Sequence, residues 1–326
     1  MRFLRVALKG LFAGLLVAMG VVCAAAATLG HGGRFDLRLD MLTHFAPFWL
    51  AGGLTALLAG LAFHRGPVKV IVVTLGALAT VAAGALMAPE YRRPMSPLAP
   101  ETAPRQLKVI QYNAWGRNAE VARSAQWLAD QAADIVVVEE ADQQIRDALL
   151  ERRDYYVTCK RCSVMIFSRA KPIAIGLKPR GPPGPRPPAT RATFASPDGD
   201  FTVIGVHYTW PTPDGMQQAQ GRRLETYIDR YPKDRLIVAG DLNSTPWSFT
   251  RRDEDRRFGL ERRTRALFSW PAQEFSRRRL RVPFPFLPID HVYAGSGWRT
   301  VKVERGPVLG SDHYPVIVTL APAAAS

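Results

Sequence analysis

Three long apolar runs, at about residues 10 to 30, 46 to 63 and 68 to 88, constrain this chain more than any other feature. Each approaches the ~20 residues with which an apolar helix crosses the hydrocarbon of a bilayer. The economical reading is an N-terminal bundle of about three transmembrane helices within residues 1–89. Charge agrees with it. Residues 1–89 hold 7 of the 43 Lys and Arg and 2 of the 28 Asp and Glu, so the remainder is near +10 and soluble in character. For the first run alone, a cleaved signal peptide is the rival, because Arg2, Arg5 and Lys9 precede an apolar stretch ending in alanines around Cys23 to Ala27. A lipid anchor on Cys23 is disfavoured by Val22, which stands where such signals want a small residue.

Arg2, Arg5 and Lys9 lie ahead of the first run and Arg65 and Lys69 between the second and third, whereas Arg34 and Arg38 are offset by Asp36 and Asp40. The positive-inside rule then predicts a cytoplasmic N-terminus. Three crossings carry everything after residue 90 to the non-cytoplasmic face of the cell membrane, periplasmic or extracellular, with Arg92 and Arg93 pulling the other way. Cys159 and Cys162 form a lone C-x-x-C, too few ligands for a tetrahedral zinc site. On an oxidising face a local disulfide is the favoured reading and two inert thiols the alternative.

Residues 90–106 contain Pro94, Pro97, Pro100 and Pro104 among polar residues, which predicts an extended linker. A folded domain is expected over 107–322, followed by a disordered tail at 323–326. Within it, strand-length apolar runs recur at 109–112, 135–138, 164–167, 201–207, 236–239, 289–293 and 315–320. Helical spacing appears in Val121, Ala125, Leu128 and Ala132 and again in Leu224, Tyr227, Ile228 and Tyr231. Many strands with few helices predict an α/β sandwich. The proline-rich stretch 178–188 predicts an exposed loop.

Acidic, amide and histidine side chains stand at the ends of these runs, where a sheet delivers them to one edge. Asp134-Ile-Val-Val-Val ends in Glu139 and Glu140, and alternation turns one carboxylate inward, at a cost that a hard divalent cation offsets. Asp241 and Asn243 follow the run 236–239 and lie on one side if the strand continues, with Gly240 permitting close approach. Asp312 and His313 enter the last run, offering a carboxylate and an imidazole able to act as acid or base. Asn113, His207 and Asp290 also stand at run ends. For each segment alone, a solvated strand end or an ordinary turn is the alternative.

Taken in order, the blocks Q-Y-N-A-W at 111–115, D-I-V-V-V-E-E at 134–140, S-V-M-I-F-S-R at 163–169, V-I-G-V-H at 203–207, G-D-L-N-S-T-P at 240–246, I-D-H-V at 289–292 and G-S-D-H-Y-P-V at 310–316 resemble the endonuclease/exonuclease/phosphatase superfamily. The resemblance covers essentially all of residues 105–322. It implies a four-layered α/β sandwich, two packed mixed β-sheets flanked by helices, with the site at one edge. It further implies a Mg²⁺-dependent hydrolase of phosphoric esters, with Mn²⁺ an alternative. Glu140, Asn113 and Asp312 look like the metal group. Asp241 looks like the carboxylate that orients or deprotonates water, and Asn243 like its helper. His207 and His313 look like phosphate-binding imidazoles, and Asp290 like the partner of His313. Two departures stand out: Glu139 occupies a position where the family often carries Gln, and no counterpart is visible of the insertions by which abasic-site enzymes grip duplex DNA.

Residues 251–281 carry eleven arginines against five acidic residues, interleaved with Phe268, Trp270 and Phe275, with Phe284 and Phe286 just beyond. A basic, aromatic patch beside the site favours nucleic acid as the phosphodiester substrate, while membrane tethering raises anionic lipid head groups or a phosphomonoester as the alternative. A soluble Arg-rich surface and core phenylalanines are the plainer explanations. A degenerate, non-catalytic binding module is the third possibility.

Overall fold

The computed structural model describes residues 2–63, 65–176, 185–272, 274–275 and 280–323. Most of the proline-rich stretch, at 177–184, the arginines at 277–279 and the tail at 324–326 lie outside the described residues. The chain divides into two compact units: Met1–Arg93 with Pro246–Arg252, and Pro94–Thr245 with Asp253–Ser326.

The first unit is helical: α1 (Arg2–Gly30), a short 3-10 turn, α2 (Leu37–Thr43), α3 (Ala46–Phe63) and α4 (Gly66–Arg92). Three of its helices, α1, α3 and α4, are long and apolar enough to cross a membrane. They meet through small residues. A Cβ on Gly76 of α4 would sit 2.8 Å from the Leu57 Cα of α3, so glycine is what lets the two backbones approach. Large apolar side chains point outward instead, with Leu11, Leu15, Leu58, Leu61, Val70 and Val81 all exposed. A soluble protein rarely presents such a surface to water.

The second unit contains two six-stranded sheets. Its strands are β1 (Leu107–Asn113), β2 (Ile135–Glu139), β3 (Tyr156–Val157), β4 (Val164–Ser168), β5 (Ala174–Gly176), β6 (Ala189–Phe194), β7 (Phe201–His207), β8 (Leu236–Asp241), β9 (Glu261–Arg262), β10 (Glu274–Phe275), β11 (Leu280–Arg281), β12 (Asp290–Ala294), β13 (Trp298–Arg305) and β14 (Val316–Pro322). Sheet one runs β13-β14-β1-β2-β4-β3 and sheet two β5-β6-β7-β8-β12-β9, with β10 and β11 forming a separate ribbon. Each large sheet is mixed, because β1 and β2 are parallel, as are β7 and β8, while the other pairs are antiparallel.

The central strands explain the layering. Ile135 and Val137 of β2 face a core shared with Ile237 and Ala239 of β8, so the two sheets pack face to face. Val136 and Val138 face outward against Ala125 and Leu128 of α5 (Val121–Asp130) and Ile145 and Leu149 of α6 (Gln143–Leu150). On the opposite flank Leu236 and Val238 pack on Leu224 and Ile228 of α7 (Met216–Ile228) and Phe258 of α8 (Phe249–Phe258). Burial on both faces is why these strands read as unbroken apolar runs. The result is the expected four-layered sandwich.

Several elements carry no apolar signature. Helix α8 is mostly Arg and Asp, and α6 buries only Ile145 and Leu149, so neither shows a helical stripe in the sequence. Strand β13 has a largely exposed face. Within the proline-rich segment, Leu98 pairs with Thr300, and Ala99 N–H donates to the Thr300 carbonyl at 2.9 Å, adding a short edge to β13.

Candidate active site

Parallel pairing of β1 with β2 and of β7 with β8 sends Asn113, Glu139, His207 and Asp241 to one edge of the sandwich. Antiparallel β12 starts there, with Asp290 opposite Asp241. Gly240 is required for this arrangement, since a Cβ would overlap the Val206 carbonyl oxygen. Around that edge lies a cleft of about 710 Å³ whose lining includes Glu140, His207, Asp241, Asn243, Asp312 and His313.

The turns that complete it are strained. Glu140 (φ 47°), Asn243 (φ 46°) and Trp115 (φ 54°) all adopt left-handed backbone, uncommon for residues other than glycine and concentrated at functional sites. For Glu140 the turn has a clear effect. Glu139 ends β2 and is fully buried, whereas Glu140 breaks from the strand and faces the cleft. Asn243 likewise does not continue β8. The strand stops at Asp241, and the Asn243 backbone N–H folds back to donate to Asp241 Oδ1 at 2.8 Å while its side-chain Nδ2 donates to Oδ2 at 3.3 Å. Turn geometry, not strand alternation, makes the pair converge.

His313 and Asp290 form a buried pair, with Nδ1 to Oδ2 at 2.8 Å. His313 Nε2 lies 3.7 Å from Asp241 Oδ2 and His207 Nε2 3.5 Å from the same oxygen. Asn113 Nδ2 bridges the two sheets by donating to Asp241 Oδ2 at 3.1 Å and to Glu140 Oε1 at 3.2 Å. Gly116 N–H donates to Glu140 Oε2 at 3.1 Å. Ser311 Oγ donates to the Asn113 carbonyl and accepts from His313 N–H, tying the Asp312-His313 turn to β1. All eight predicted residues therefore meet around one cleft, with Asn113 and Asp290 buried behind its surface.

The sequence model of the Endonuclease/Exonuclease/phosphatase family matches residues 110–313. The chain belongs to this family. Its members are hydrolases of phosphoester bonds. Among curated proteins none matches the chain in sequence. Solved family structures share the fold: an endonuclease/exonuclease/phosphatase from Beutenbergia cavernae is 21% identical over 68% of this chain and 72% of its own, with a TM-score of 0.51. D. rerio TDP2, complexed with single-strand DNA product, is 16% identical over 66% and 99%, TM-score 0.51. A mannosyl-6-phosphatase of Bacteroides thetaiotaomicron is 16% identical over 66% and 99%, TM-score 0.52.

The family fold leaves the charges of this cleft unevenly held. Burial pushes the Asp241 carboxyl up to about 6, with nearby His313 opposing and Asp290 adding to the shift. Burial disfavours a charged His313, yet Asp290 and Asp241 outweigh it and hold the imidazolium well above its ordinary range. Burial raises Asp312 as well. Glu139 is pushed well up by burial and by the Asp290 charge. Its Oε2 accepts from Gln111 Nε2 at 2.9 Å, and the same nitrogen donates to Asp290 Oδ1 at 2.7 Å. Glu139 thus lies in the interior beneath the cleft, away from its lining.

The donor set fits a hard cation. Asp241, Asp290 and His313 offer ligand atoms within 4.8 Å of one another, but His313 Nδ1 and Asp290 already satisfy each other. Asp312 is different: its Oδ2 accepts from Trp270 Nε1 at 3.1 Å, while its buried Oδ1 has no hydrogen-bond partner. An oxygen left so, with Glu140 on the same cleft, is the chemistry expected of a divalent-metal ligand.

Trp115, Arg117 and Trp210, none of them expected from the sequence, also line the cleft, as does Trp270, which the sequence placed only in the aromatic, basic segment beside the site. Trp115 stands inside the first motif block, but nothing marks Trp210 beyond its place three residues after His207. The expected basic patch is also altered. Arg251, Arg262 and Arg263 are buried; Arg262 pairs with Asp255 at 2.9 Å, and Arg263 donates to the carbonyls of Ala294, Gly295 and Trp298. Arg257 bonds Asp253 and Glu225. These arginines hold the fold together.

Proposed function

We propose that this protein is a membrane-anchored, Mg²⁺-dependent phosphodiesterase that cleaves nucleic acid by in-line attack of water, with Mn²⁺ an acceptable substitute. The single observation carrying the reading is the convergence of Asp241, Asn243, Asp290 and His313 beside Glu140 and the Asp312 oxygen that accepts no hydrogen bond. Glu140 and Asp312, with Asn113 bracing Glu140, would hold a divalent ion, which when bound would supply charge neutralisation at the phosphoryl oxygens. Asp241 takes the proton of the attacking water, and Asn243 fixes its carboxylate. Protonated His313 donates from Nε2 to a phosphoryl oxygen, its Nδ1–H held by Asp290. His207 offers a second imidazole donor.

For the substrate, Trp115 and Trp210 support nucleic acid. Trp210 is 48% exposed and meets Trp270 edge to face at 5.4 Å, leaving an open aromatic surface beside the reacting groups on which a base can stack. TDP2, with its single-strand DNA product, offers a precedent on the same fold. A lipid head group is the second reading, favoured by the exposed apolar helices of the first unit. We further place the cleft on the non-cytoplasmic face, in keeping with the basic N-terminus and the bonded Cys159–Cys162 pair.

Full-length protein in detergent, offered single- and double-stranded DNA, sphingomyelin, phosphatidylinositol phosphates and bis(p-nitrophenyl) phosphate with Mg²⁺ or chelator, tests this. Metal-dependent cleavage of single-stranded DNA is expected. Hydrolysis of a lipid alone moves the assignment to the second reading, and chelator-insensitive or absent hydrolysis of every substrate overturns both.

A further inference from the structure

Between the Asp241–Asn243 turn and helix α8, the chain leaves one compact unit and enters the other. Asp241 to Thr245 belong to the sandwich, whereas Pro246–Arg252 pack with the helical unit. What receives that segment is the connection between α1 and α3. Asp40 of α2 is 3% exposed, and its carboxylate accepts from Phe249 N–H at 2.7 Å, from Thr250 N–H at 3.0 Å and from Thr250 Oγ1 at 2.7 Å.

The physical reason is the start of α8. The first N–H groups of a helix have no partner inside it, and its N-terminus attracts negative charge. Ser248 Oγ satisfies one of them by accepting from Arg251 N–H at 3.0 Å. Asp40 satisfies two more from a position 209 and 210 residues away in sequence. Around this contact Trp247, Ser248 and Arg251 are fully buried, and Trp247 Nε1 donates to the His44 carbonyl at 3.3 Å. Gly33 completes the seat: a Cβ there would come within 2.7 Å of Asp40 Cα and 2.9 Å of a Phe249 ring carbon. A carboxylate buried this deeply is retained because donors compensate it: the three from Phe249 and Thr250, and the Thr43 hydroxyl at 3.2 Å from Oδ1.

Only Ser244 and Thr245 separate this seat from Asn243. The turn has anchors of its own, since Gln217 Nε2 donates to the Leu242 and Asn243 carbonyls and His291 Nε2 to the Ser244 carbonyl at 2.8 Å. Those bonds fix the turn from the sandwich side, and the chain runs directly from it into Pro246–Arg252.

We propose that Asp40 is a positioning residue for catalysis: by seating Pro246–Arg252 it restrains the Asp241–Asn243 turn that precedes them in the chain. The inference rests on the roles given above to Asp241 and Asn243. Its test uses the full chain in detergent, with Mg²⁺-dependent hydrolysis of bis(p-nitrophenyl) phosphate and, separately, amide hydrogen exchange. Asp40→Ala is expected to lower kcat about ten-fold or more with KM changed less than about two-fold, as loss of positioning does. Asp40→Asn, which keeps an acceptor, recovers part of the rate. In chelator, exchange at Leu242 to Thr245 quickens in Asp40→Ala. Unchanged kcat, or faster exchange that stops at Pro246–Arg252, overturns the proposal. If Asp40→Ala does not fold, Thr250→Val, which removes one hydroxyl bond, carries the test, with kcat about two- to five-fold lower expected and an unchanged kcat decisive against it. If the native protein hydrolyses nothing, the functional reading fails, and the exchange result still decides whether Asp40 holds the turn.

Discussion

Asp241 illustrates how one carboxylate serves activity against stability. Its carboxyl is held at about 6, above the ordinary 3.8, so the folded protein prefers it protonated. Its favourable contribution to folding is present below pH 3.8 and is lost as the pH rises through about 6. In the proposed mechanism Asp241 accepts a proton and so acts in its ionised form; activity then runs the other way, and kcat/KM is expected to climb with pH through that region. Asp241→Asn is therefore expected to cut kcat by about 10²–10⁴-fold. At pH 8 in chelator the same variant should unfold at a higher temperature than the native protein, worth about 1–3 kcal/mol, with the gain shrinking toward pH 4. Calorimetry at the two pH values checks it, and equal melting at both discards the assignment. For the metal, Glu140→Gln and Asp312→Asn should each raise the Mg²⁺ concentration for half-maximal rate by about ten-fold or more, read from a metal titration. All eight candidate residues were visible in the sequence as polar groups at the ends of apolar runs. What the runs did not reveal was direction: Glu140 and Asn243 reach the cleft through left-handed turns that no alternation rule predicts. Trp210 was invisible because a tryptophan in a polar loop carries no periodic signal.

Strands with both faces buried announce themselves, and those with one exposed face do not. The runs of β2 and β8 were legible because each packs apolar residues against a helix layer and the facing sheet at once. Helix α8 escaped because its stability comes from charge pairing and an external cap instead of an apolar stripe. The arginines around it misled for the same reason: counted along the chain they make a basic patch, yet in the fold Arg262 and Arg263 are interior. Pairing of β7 with β8 gives a sharp prediction. Gly240→Ala must push the Val206 carbonyl away, and a cost of about 3 kcal/mol or more is expected, read as loss of folded protein in detergent. Near-native melting would show that the two strands yield there. On the loop side, Trp210→Ala should weaken binding of single-stranded oligonucleotides by about 1–3 kcal/mol while sparing bis(p-nitrophenyl) phosphate hydrolysis, which separates stacking from chemistry.

The proposed three crossings make a prediction about topology. If α1, α3 and α4 each span the membrane, the connection between α1 and α3 and everything after α4 would lie on the same face, which agrees with the bond from Asp40 to Thr250. A periplasm-active reporter fused after residue 326 is expected to be active, and a cytoplasm-dependent fluorescent one dark. The reverse result would invert the orientation inferred from Arg2, Arg5 and Lys9. The apolar helices were the plainest signal in the sequence, and composition alone located them. Their packing partner was not legible, because nothing in the order of residues says that Trp247 and Phe249 leave the sandwich to join them.

That departure bears on how such a protein can change over time. An anchor joined by a flexible tether can be traded for another by simple gene fusion. Here seven residues that follow β8, Pro246–Arg252, belong to the helical unit. A chimera with foreign spans would leave Trp247 and the first amides of α8 facing solvent, so the anchor and the loop that meets it should be inherited together.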